Sequence, residues 1–143
     1  MPRRLRNIVP ALFILCAAAA APAQGTRTPA PGSAERRAVT DALRAPVEKE
    51  LRQKVVFKID HLKAAGGWAF LRGVPQRPGG GKVDYDITPY RERADDGAFD
   101  DWICALLRKK GGKWQVVKYN IGATDVVYLD WDKEFKAPPE IFR

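Results

Sequence analysis

The chain predicts an α+β domain with a leading amphipathic helix, an antiparallel sheet built from two β-hairpins, and a short closing helix. Three observations carry that expectation. Val39, Leu43, Val47 and Leu51 recur every four residues, the spacing of one helix face. In Val55-Val56-Phe57-Lys58-Ile59-Asp60, positions 55, 57 and 59 are apolar while 58 and 60 are charged, the alternation of a half-buried strand. Two glycine turns, Ala65-Gly66-Gly67 and Lys109-Lys110-Gly111-Gly112, each separate two apolar runs. Hairpins impose antiparallel pairing, and helices at the two ends of the chain are expected to cover one face of the sheet.

Residues 1–23 read as a secretory signal. Arg3, Arg4 and Arg6 make a basic start, Ile8 to Ala20 an apolar run broken only by Pro10, and Ala21-Pro22-Ala23 a small-residue cleavage pattern. The apolar run is shorter than the about 20 residues of a membrane span, and Leu15 rather than a small residue precedes Cys16. A cleaved signal is therefore preferred to a retained anchor or a lipoprotein signal. Cleavage after Ala23 leaves Gln24 first and lowers the net charge from +8 to +5, because residues 1–23 hold three arginines and no acid. One cysteine, Cys104, then remains, so no internal disulfide forms. The expected setting is periplasmic or secreted, with no stable membrane span after cleavage.

Residues 24–33 (QGTRTPAPGS) are a flexible lead, and residues 34–143 form one domain. Ser33 caps a helical region over 34–52, with a kink or restart at Pro46. The first hairpin pairs Val55–Leu62 with Trp68–Gly73. Pro75–Lys82 is a loop, Val83–Tyr90 holds a short edge strand, and the polar run Arg91–Asp101 is surface loop. The second hairpin pairs Ile103–Arg108 with Lys113–Ile121. Thr124 caps a closing helix from Asp125 to about Lys136, with Val127, Trp131 and Phe135 on one face, and Pro138-Pro139 stop it. The count is four to five strands.

The residues limit the chemistry. Outside the signal there is one histidine and one cysteine, too few for a zinc or copper centre, and Asp95-Asp96-Gly97-Ala98-Phe99-Asp100-Asp101 lacks the alternating ligands of an EF-hand. Arg77-Pro78-Gly79-Gly80-Gly81-Lys82 departs from a phosphate-binding loop, since Val83 follows the lysine and no helix pattern follows. No metal or cofactor is expected. Cys104, within Trp102–Leu107, reads as a small buried hydrophobe. Acid–base chemistry would fall to Asp125, at a strand-to-helix junction, or to Asp60 with His61. The aromatic residues Trp68, Tyr85, Tyr90, Trp114 and Trp131 are candidates to line a ligand pocket between sheet and helices. Arg108, Lys109, Lys110 and Lys113 crowd cations at one hairpin tip, beside aromatic residues, which suits an anionic envelope polymer better than nucleic acid in an exported protein.

Several residues also carry a resemblance. Arg37 with Leu43-Arg44, Phe57 with Trp68-Ala69-Phe70, Ala105-Leu106-Leu107 with Gly112 and Trp114, and Gly122-x-Thr124-Asp125-Val126 with Trp131 are similar to a group of small exported bacterial proteins of unknown function. The order of helix then hairpins also resembles the cystatin-like and nuclear-transport-factor-two-like cone folds. That wider group contains isomerases, dehydratases and non-catalytic binding domains. The Asp–His pairing of several of those enzymes is matched here only by adjacent Asp60 and His61, whose side chains should point to opposite faces of a strand. The expected function is a non-enzymatic exported domain that binds a protein partner or an apolar small ligand. The alternative is a small hydrolase, isomerase or lyase using Asp125, or Asp60 with His61.

Overall fold

The computed structural model describes residues 25–143, and the signal read over 1–23, with Cys16 and Gln24, lies outside the described residues. Helix α1 spans Ala34–Leu51. The Ser33 side chain accepts a hydrogen bond from the Arg36 amide at 3.1 Å, satisfying one of the free donors of the first turn. Val39, Leu43, Val47 and Leu51 are fully buried. The expected break at Pro46 does not occur, and one helix runs through it. Pro46 has no amide to offer the Ala42 carbonyl, but burial of apolar side chains on both sides of it holds the helix together.

Strands β1 (Val56–Ala65), β2 (Trp68–Gln76), β3 (Ile103–Lys110) and β4 (Lys113–Ile121) form one antiparallel sheet in sequence order. Both hairpin turns are two glycines with positive φ, Gly66-Gly67 at 56° and 78°, and Gly111-Gly112 at 55° and 76°. That geometry matches the right-handed twist of the flanking strands and requires φ values that residues with a Cβ rarely adopt. The strands therefore continue to the residues flanking the glycines, further than the composition suggested. The class is α+β, as expected.

The two faces are covered by different elements, which corrects the expectation of a single covered face. Trp68 to Leu71 in β2 and Ile103 to Leu107 in β3 are buried without interruption. A central strand with apolar side chains on both faces needs cover on both. Helix α1 packs on one face with Ala69, Leu71, Ala105, Leu107 and Ile121. The C-terminal segment packs on the other with Trp68, Phe70, Cys104 and Leu106.

Between β2 and β3 no fifth strand forms, and only an isolated bridge joins Gln76 and Lys82. Val83 and Tyr85 are buried as alternation predicts, but a side chain replaces the neighbouring strand. Gln53 accepts from the Asp84 amide at 2.9 Å and donates to the Asp84 carbonyl at 2.8 Å. The segment expected to be surface loop contains a five-residue helix, α2 (Arg91–Asp95), with no buried residue.

After β4 the expected helix from Asp125 shrinks to α3, Trp131–Phe135, followed by a 3₁₀ turn over Pro139–Phe142. Thr124 caps nothing, and the Asp125 carboxylate accepts from the Val126 amide at 2.6 Å. Of the expected face, Trp131 and Phe135 do pack against the sheet, their rings 6.5 Å apart, but Tyr128 takes the place of Val127. The Tyr128 ring lies 4.7 Å from Phe70 and its hydroxyl accepts from Arg72, whereas Val127 is exposed.

Candidate functional site

The strand β1 has one irregularity that decides where its two chemically active residues point. Ile59 pairs with Gly73 and His61 with Arg72, leaving Asp60 as an extra residue in the edge strand. Phe57, Ile59, Leu62 and Ala64 pack toward α1, so the bulge turns both Asp60 and His61 toward the C-terminal segment. The expectation of opposite faces is corrected by that inserted residue. Gly73 makes the close approach feasible, since a Cβ there would stand 2.5 Å from the Lys58 carbonyl oxygen.

Brought to one face, the two residues hold the structure rather than each other. Arg72 Nε donates to the Asp60 carboxylate at 3.2 Å, and an Arg72 terminal nitrogen donates to the Tyr128 hydroxyl at 3.0 Å. His61 Nε2 donates to the Ile141 carbonyl at 2.7 Å, and its ring meets Phe70 edge-on at 5.6 Å. The two ties fasten the tail and the 122–130 segment to the sheet. Asp125 is exposed and shares no hydrogen bond or ion pair with Asp60 or His61 among the described residues.

The five candidate aromatic residues are divided between the faces. Trp68 and Trp131 belong to the C-terminal side. Trp114, Tyr85 and Tyr90 belong to the α1 side. Each of the three tryptophans has a cation over its ring: Arg108 at 4.9 Å from Trp68, Lys109 at 5.8 Å from Trp114, and Lys118 at 5.4 Å from Trp131. Cys104 lies fully buried in the same core as Trp68 and Leu106, opposite Arg72 of β2, where burial pushes its thiol up to about 12.

Two carboxylates organise the phenols on the α1 side, and neither was a sequence candidate. Tyr90 and Tyr119 both donate to Glu50, near the end of α1, and Tyr85 donates to Asp101. Burial first, then the facing carboxylate, holds all three phenols well above their ordinary range. Phe99 wedges between Tyr85 and Tyr90, with ring centroids at 4.5 and 5.4 Å, and lies against Gly122. These partners sit 16 to 69 residues apart, so no local pattern announces them.

Among the open concave regions of the described residues, two bear on the candidate contacts. A cleft of about 790 Å³ lies between the N-terminal segment, the first turns of α1 and the β3–β4 tip, lined by Gly25, Arg27, Glu35, Lys109, Gly112 and Trp114. A groove of about 250 Å³ is lined by Tyr128, Leu129, Asp132, Pro139 and Phe142 with Arg143. Beside it Leu129 is 72% exposed, and Val126 and Val127 are exposed by about 40%. The Arg77–Lys82 loop closes on itself, with the Arg77 amide bonded to the Gly81 carbonyl at 2.7 Å.

Among the described residues no group of three or more His, Cys, Asp or Glu is placed to hold a metal ion, and no helix is long and apolar enough to cross a membrane. No family model, no curated protein and no solved structure matches the chain.

Proposed function

We propose that this is an exported, non-enzymatic binding domain, released by signal cleavage near Ala23, whose contact surface for a protein partner is the apolar ridge Val126–Leu129 with Phe142. One observation carries the reading: Leu129 is 72% exposed on a rigidly anchored segment, flanked by two half-exposed valines and a groove of about 250 Å³. Exposed apolar side chains scattered singly are ordinary; a contiguous set beside a groove marks a contact site. Trp131 and Tyr128 form the support beneath it, with ring centroids 6.4 Å apart, and Arg72 ties Tyr128 to β2. The ridge is thus preorganised, which lowers the ordering cost of association.

The test is site-specific photocrosslinking in the native envelope, with the reactive group at position 129 or at exposed Lys49 on α1. A discrete adduct from position 129 alone, lost when Val127→Asp is added, supports the reading. The same adducts from both positions overturn it.

A further inference from the structure

At the β3–β4 tip, four cations lie within six residues, and none of them forms an ion pair among the described residues. Lys110 and Lys113 are directly opposite across the strands, and Arg108 is two residues back on the same face. Like charges in that register are destabilising, and among the described residues no carboxylate lies within ion-pair distance of them. Lys109 points to the other face, toward the open cleft of about 790 Å³, where Arg27 is engaged by Glu35 and the Trp114 ring forms part of the wall. Lys109 is also near enough to Glu35 to add to the lowering of its carboxyl that Arg27 mainly causes. The tip therefore presents three unpaired cations on one side of the hairpin, and on the other Lys109, which shares Glu35 with Arg27 at the rim of a polar cleft.

We infer that this end of the molecule binds a linear acidic polysaccharide, with Arg108, Lys110 and Lys113 holding successive anionic groups and the cleft at Lys109 receiving an adjoining sugar. Two features select that class. The turns are Gly66-Gly67 and Gly111-Gly112, so the tip has no apolar side chain to insert into a lipid surface. The nearby Trp68 and Trp114 are only 8% exposed, with Arg108 and Lys109 over their rings, which is too little open aromatic surface for a nucleic-acid base to stack on. What remains is charge and polar contact along a chain.

The experiment measures anisotropy of fluorescein-labelled polygalacturonate with the purified protein in 50 and 300 mM NaCl. Neutral dextran, anionic phospholipid vesicles and a single-stranded oligonucleotide serve as comparisons. Binding of polygalacturonate should weaken about tenfold or more between the two salts. The Lys110→Ser/Lys113→Ser variant should lose about tenfold in affinity at low salt, with its melting temperature unchanged or raised because two opposed charges are gone. Lys49→Ser/Lys133→Ser, which removes the same charge from exposed positions elsewhere, should bind within about twofold of the parent. Equal losses in the two variants would reduce the effect to net charge and overturn the site. Dextran binding as tightly, tighter binding to vesicles or to the oligonucleotide, or no binding at all would each overturn the ligand class. Because the ridge at Leu129 is not involved, Leu129→Asp leaves this binding unchanged.

Discussion

Single residues set the tolerance of this fold most sharply where backbone and ring meet. Gly122 has φ of 76°, and a Cβ at that position would fall within the Phe99 ring. Gly122→Ala combines a left-handed backbone penalty with displacement of a packed aromatic, so it should destabilise by about 3 kcal/mol, measured by chemical denaturation. Phe99→Leu in the Gly122→Ala background should recover part of that loss. The buried phenols give a second residue-level expectation. In the unfolded chain Tyr85, Tyr90 and Tyr119 ionise near pH 10; in the folded chain burial and the facing carboxylates raise them above that. Their contribution is complete below pH 10 and is lost as pH climbs past 10 toward the folded values. The melting temperature should therefore drop on titration from pH 9.5 to 11.5. A Tyr85→Phe/Tyr90→Phe/Tyr119→Phe variant should show a shallower fall over the same range.

Among the elements, α1 and the C-terminal segment make different demands. Helix α1 tolerates Pro46 by giving up one backbone hydrogen bond. Pro46→Ala should restore it and stabilise the protein by about 1–3 kcal/mol, seen as a raised denaturation midpoint with unchanged slope. The tail is held by Ile141 and Phe142 against Phe70 and by the His61 bond to the Ile141 carbonyl. Ile141→Ala should cost about 2–5 kcal/mol and expose Cys104, read as faster reaction with a thiol reagent.

Legibility of these elements followed the range of the forces that make them. The α1 face and both hairpins could be read because a four-residue period and a glycine pair act over a few residues. The double cover of the sheet was also written in Trp68–Leu71 and Ile103–Leu107, whose lack of alternation marks strands buried on both sides. The closing helix starts later than the spacing predicts because Val127 and Tyr128 compete for the same turn, and only the distant Phe70 and Arg72 decide in favour of Tyr128. The bulge at Asp60 and the phenols gathered by Glu50 depend on partners across the fold, which no local spacing encodes.

At the scale of the molecule, the segment carrying Val126–Leu129 leaves the sheet after Ile121, at the end of β4 away from the β3–β4 tip. A partner on that segment need not displace a ligand at the tip. The sheet itself ends in two edge strands. The N-terminal segment pairs with β1 only at Arg27 and Ala64. Each edge strand carries an irregularity, after Ile59 in β1 and after Leu106 opposite β4, whereas the pairing between β2 and β3 has none. The bulged residue in β4 is Val117, which is exposed. An edge broken in this way offers poor register to a strand from another molecule. Deleting Val117 would give β4 a straight outer ladder, and that variant should form thioflavin-positive fibrils at concentrations where the parent stays dispersed. Placing the irregularities in the outer strands alone leaves the central pairing intact while blocking open-ended growth of the sheet.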